Sequence, residues 1–141
     1  MLKLSMNKKG FSLIEATVAI FIMTIGLVSV VQFFPFSLRI VNDSQKTTIA
    51  LNTALAKAES VLAMDYDEIN TGQIESKHRL SAQSSSYLYQ YQRETVVETI
   101  DSNLDPSAQD IGLKKITITV YWQSPFGEEK SLAINSIIAD Y

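Results

Sequence analysis

KKGFSLIEATVAIFIMTIGLVSVV, residues 8–31, sets two lysines before an apolar run and places Glu15 at the edge of that run. From Ala16 to Leu38 no residue is ionisable, and a helix needs about 20 apolar residues to cross the hydrocarbon core of a bilayer. Lys8 and Lys9, with Lys3 further out, hold the amino terminus in the cytoplasm by the positive-inside rule, so the remainder faces outward. A cleaved secretory signal has a shorter apolar region and a small-residue cleavage site, and Val30 to Phe34 offers none. A plain signal-anchor helix accounts for the apolar run but not for Glu15. A carboxylate costs roughly 2.5–3.5 kcal/mol at the centre of a membrane helix, less near an end, and usually marks a function.

The composition bounds what lies beyond the anchor. With 141 residues, 46% of them hydrophobic, there is room for one small domain. The formal charge of −3 is unevenly spread. Residues 1 to 10 hold three lysines and no acid, so the rest of the chain carries 9 basic against 15 acidic groups. Such an acidic remainder gives no basic footprint for nucleic acid. With no cysteine, neither a disulfide framework nor a thiolate metal site can form.

Leu51, Leu55, Ala58 and Leu62 recur at helical spacing, with Lys46, Thr53, Lys57 and Ser60 on another face. The stretch from about Ser44 to Met64 is therefore an amphipathic helix whose apolar stripe is expected to cover a sheet. Continued from the anchor, a helix from about Ser12 to Met64 is roughly 80 Å long, too long for a compact domain of this size. Pro35 is expected to kink it, and Gly26 is a second weak point. Phe33, Phe34 and Phe36 suit contact with the membrane interface.

After Asn70-Thr71-Gly72, a stop and turn, the pattern alternates. Ser86 to Ile100 reads as a strand with Tyr87, Tyr89, Tyr91, Thr95, Val97 and Thr99 on one face. Lys114 to Trp122 puts Ile116, Ile118, Val120 and Trp122 into the core. Ser124-Pro125-Phe126-Gly127 suits a type I turn, and the returning strand, about Lys130 to Ala139, adds Leu132, Ile134 and Ile138. Asp101 to Gly112 reads as an exposed loop. The fold class is thus α+β: one long amino-terminal helix packed against a small antiparallel sheet of three to four strands.

No catalytic set stands out, and the chain is not expected to be an enzyme. His78, the single histidine, has no co-ligand and reads as a surface residue. There is no phosphate-binding glycine loop and no Gly-x-Ser-x-Gly elbow. Asp65, Asp67 and Glu68, like Asp101, Asp105 and Asp110, lack EF-hand spacing and read as solvated loops; no metal or cofactor is expected.

Lys8-Lys9-Gly10-Phe11-Ser12-Leu13-Ile14-Glu15 resembles the prepilin signature of type IV pilins and type II secretion pseudopilins: a short basic leader, Gly, an aromatic, and Glu five residues after the Gly. The resemblance implies a pilin-like fold with a protruding helical stalk, a leader over 1–10, a hydrophobic assembly helix over 11–38 and a head over 39–141. It further implies cleavage after Gly10 by a prepilin peptidase, N-methylation of Phe11, and a role for Glu15 in assembly, where it meets the amino terminus of its own or a neighbouring subunit. Physically, a buried amine needs such a partner, and Glu15 lies one helical turn from Phe11. The implied partners are other pilin or pseudopilin subunits, the peptidase and an inner-membrane assembly platform. The closing stretch, LKKITITVYW with a turn and then INSIIADY, is similar to that of PilV-like minor pilins and I-type minor pseudopilins. Two alternatives stay open: a minor pseudopilin of a type II secretion system, and an uncleaved, membrane-tethered extracytoplasmic binding domain.

Overall fold

The computed structural model describes residues 10–140. A single α-helix, α1, runs from Leu13 to Leu62 and is not broken at Pro35. Residues 13–38 of α1 are long and apolar enough to cross a membrane, and their large apolar side chains are exposed. The chain divides into two compact units between Leu38 and Arg39.

In the second unit, four antiparallel strands form one sheet in the order β1 (Gly72–Arg79), β2 (Tyr91–Thr99), β3 (Leu113–Gln123), β4 (Glu129–Ala139). Period-two alternation is plainest in β3, where every even residue from Lys114 to Trp122 is buried. The β3–β4 hairpin closes as its residues dictate: the Gly127 N–H donates to Ser124 O at 3.0 Å, with Gly127 at φ +93°. A side chain there would be strained, which is why glycine ends this turn.

The helix meets the sheet on a face turned from the expected stripe of Leu51, Leu55, Ala58 and Leu62, sharing only Ala58 with it. Ala50, Ala54, Ala58 and Val61 are the buried residues of α1, packed with Tyr91, Val97, Ile116, Ile118, Val120 and Trp122. Leu51, Leu55 and Leu62 remain 38–44% exposed. Small side chains allow close approach of helix and sheet, so contact area here comes from the strands rather than from long helix side chains.

Polar contacts fasten the same half of the helix. Asp43 accepts from Lys130 Nζ at 2.6 Å and from Ser124 Oγ at 3.3 Å, and Lys46 Nζ donates to Gln123 O at 2.8 Å. The buried Lys114 donates to Tyr66 O and Ile69 O, both at 2.9 Å, and caps the short 3-10 turn Tyr66–Glu68 that follows the helix.

One further expectation needs correction. Tyr87 to Gln90 is a 3-10 turn, opened by Ser86 Oγ accepting from the Leu88 N–H at 3.3 Å, so Tyr87 and Tyr89 are off the strand and only Tyr91 enters the core. His78 is exposed on edge strand β1, as its surface reading expected.

Candidate functional site

The residues singled out at the amino terminus sit at the head of α1. A Cβ on Gly10 would meet nothing within 4 Å, and Phe11 is 80% exposed. The first helical hydrogen bond of this region runs from Ala16 N–H to Ser12 O at 3.1 Å. Glu15 lies in the first turn, exposed, where a carboxylate is favoured by the positive end of the helix dipole. Lys3, Lys8 and Lys9 lie outside the described residues.

Ser12-x-x-Glu15 also has the spacing of a capping box, a signal that the composition-led reading passed over. Neither side chain makes a hydrogen bond among the described residues. The hydroxyls further along are differently placed. Thr17, Thr24, Ser29 and Ser37 each donate to the carbonyl four residues earlier, at 2.7–3.2 Å. These hydroxyls are satisfied within the helix itself, as an apolar solvent requires. Glu15 is the single ionisable side chain from Phe11 to Leu38. The segment therefore presents one group whose charge calls for a partner beyond its own helix.

Beyond residue 38, the densest cluster of charged groups centres on Glu75. Glu75 accepts from Arg93 Nη2 at 2.7 Å and Nε at 3.0 Å and from Thr95 Oγ1 at 2.6 Å, with Lys57 Nζ at 3.9 Å. Burial alone would push its carboxyl up, but the hydrogen bonds from Arg93 and Thr95 and the charges of Arg93 and Lys57 outweigh that and hold it at about 2. His78 touches the same group, Nε2 to Glu75 Oε1 at 3.4 Å, and Nδ1 lies 2.8 Å from Ser76 O. This network was invisible in the sequence because Glu75 and Arg93 are 18 residues apart on different strands.

The aspartates of the loop between β2 and β3 are turned to structural use. Asp101 Oδ1 accepts from the N–H groups of Asn103 and Asp105 at 2.8 and 3.0 Å. Asp110 Oδ1 accepts from Tyr66 OH at 2.6 Å and Gly112 N–H at 2.9 Å. The Tyr66 hydroxyl is pushed up to about 12 by burial and by that bond to Asp110. Among the described residues, no three His, Asp or Glu side chains are grouped to hold a metal ion.

The comparisons with known proteins fall on the amino-terminal segment. The family model of the prokaryotic N-terminal methylation motif matches residues 5–31. No curated protein and no solved structure matches the chain. The motif match supports the type IV pilin and pseudopilin superfamily, which supplies structural subunits rather than enzymes and implies assembly with other pilin subunits after action by a prepilin peptidase.

Proposed function

We propose that the chain is a minor structural subunit of a type IV pilus, made as a precursor and cleaved after Gly10. In this reading residues 1–10 are the leader, Phe11 becomes the N-methylated first residue, residues 11–38 anchor the protein in the cytoplasmic membrane, and residues 39–141 form an extracytoplasmic head. An inner-membrane platform then draws the subunit into the filament. The observation that carries the reading is the methylation motif over residues 5–31 at the head of an exposed apolar helix.

Glu15 gives the mechanism its chemistry. Cleavage converts the Phe11 amide nitrogen into a cationic amine, four residues before Glu15. When helices pack into a shaft both charges leave water, and each is tolerable there only beside an opposite charge. Pairing of Glu15 with an amino terminus, its own or a neighbour's, thus favours the assembled register. The resemblance of the closing strands is to PilV-like minor pilins and I-type minor pseudopilins alike, so it supports a minor subunit, and a minor pseudopilin of a type II secretion system stays the alternative.

Intact mass and amino-terminal sequencing of the protein from its native membranes test the reading. A chain beginning at N-methylated Phe11 is the expected result. A chain that keeps residues 1–10 in cells with an active prepilin peptidase would overturn it in favour of an uncleaved tethered domain. Complementation of pilus-deficient against secretion-deficient strains separates pilin from pseudopilin.

A further inference from the structure

The two edges of the sheet are built differently. β1 pairs with β2 through two register irregularities and carries Glu75, Lys77, His78 and Arg79. Bulges and charges of this kind stop a second chain from adding to an edge. β4 pairs with β3 in unbroken register from Leu113↔Ala139 to Gln123↔Glu129. From Ser131 to Ala139 it has no charge, no proline and no glycine.

The hydrogen bonds at both ends of this hairpin settle which way each β4 backbone group points. Asp140 N–H donates to Gly112 O at 3.0 Å, and Ser124 N–H donates to Glu128 O at 2.8 Å. Both contacts belong to the bonded pairs of an antiparallel ladder, which alternate with non-bonded pairs. With the register unbroken, Lys130, Leu132, Ile134, Ser136 and Ile138 direct N–H and C=O toward β3. Ser131, Ala133, Asn135, Ile137 and Ala139 direct theirs outward, to the free edge. The alanine seam of α1 buries residues of β2 and β3 but none of β4, where Leu132, Ile134 and Ile138 stay half-buried. Ile137, on the opposite face, is 46% exposed.

We propose that β4 is a strand-addition site, taking an extended segment of a different protein chain. Its occupant pairs with the outward backbone groups of Ser131 to Ala139 and sets apolar side chains beside Leu132, Ile134 and Ile138, with uncharged ones on the other face. A second copy of this chain is a poorer fit. Its β1 edge is bulged and charged, and antiparallel pairing of β4 with β4 needs a two-fold axis perpendicular to the sheet. That axis reverses the direction of the second helix, which conflicts with two chains anchored from one membrane face. The inference does not depend on cleavage at Gly10.

The test is hydrogen exchange of the full chain, read in native membranes and after purification in detergent. Amides of Ser131, Ala133, Asn135, Ile137 and Ala139 are expected to exchange freely in detergent and at least about tenfold more slowly in native membranes. Ala133→Pro removes one outward donor and no β3–β4 bond. It should abolish the added protection at its neighbours while leaving the melting temperature unchanged; Ile137→Pro provides the same test at a second position. Equal exchange in both settings would overturn the proposal, as would protection that rises with the concentration of purified chain alone, which indicates self-pairing. If both proline variants unfold the head, the outward assignment is wrong and the proposal falls with it.

Discussion

Arg93 on β2 grips Glu75 on β1 through both Nε and Nη2, at 3.0 and 2.7 Å, while Lys57 of α1 stands 3.9 Å from the same carboxylate. One acid thereby joins two strands and the helix. Because its folded value, about 2, lies below the ordinary 4.5, the stability it contributes is complete above pH 4.5 and is lost as pH falls toward 2. Glu75→Gln should abolish this acid-sensitive component while leaving the rest of the pH profile in place, as followed by circular dichroism. Arg93→Ala leaves the carboxylate buried without its main partner and should cost about 2–4 kcal/mol at neutral pH.

The alanine seam gives a contrast between adjacent residues. Ala54 is fully buried and Leu55 is 44% exposed. Ala54→Leu must force helix and sheet apart, with an expected loss of about 1–3 kcal/mol. Leu55→Ala should change stability by less than about 0.5 kcal/mol. Thermal unfolding of the two variants in detergent distinguishes this packing from one centred on the leucines.

Two roles for Glu15 diverge on one substitution. A capping-box glutamate is replaceable by glutamine, which also accepts from a backbone N–H. A carboxylate paired with an amine is not. Glu15→Gln and Glu15→Ala should both insert and be cleaved, and both should fail to enter filaments, measured by recovery of the subunit in sheared filament fractions. Normal incorporation of Glu15→Gln would favour the capping role.

Trp122 is 4% exposed, and its indole N–H is buried with no hydrogen-bond partner among the described residues. An unsatisfied buried donor costs about 1–3 kcal/mol. Trp122→Phe removes that donor along with some packing volume, so its net cost should stay below about 1.5 kcal/mol. Trp122→Ala should lose about 3–5 kcal/mol. Urea unfolding followed by circular dichroism measures both.

The strands with one buried face were legible in the sequence because their side chains alternate. Ile116, Ile118, Val120 and Trp122 are buried as their spacing required. β1 was missed because its residues, GQIESKHR, are mostly polar and only Glu75 is turned inward, so it shows no apolar period. The tyrosine run misled for the opposite reason: Tyr87 and Tyr89 share the parity of Tyr91, but a local cap by Ser86 wound them into a 3-10 turn. On the helix, leucine outweighs alanine in any hydrophobic count, whereas the sheet chose the face that lets it come closest. At the amino terminus the methylation motif over residues 5–31 was legible, because a linear motif needs no tertiary contact.

That closest face has a geometrical consequence. Long side chains on a helix can slide or re-pack, leaving its rotation about its own axis soft. Alanines backed by Val61, with Asp43 tied to Lys130 and Lys57 beside Glu75, leave residues 43–61 with one azimuth relative to the sheet. The exposed stripe of Leu51, Leu55 and Leu62 and the open edge of β4 are therefore two teeth cut on one key. A partner that reads both reads a fixed angle between them, and discrimination among partners can rest on that angle as much as on the residues themselves.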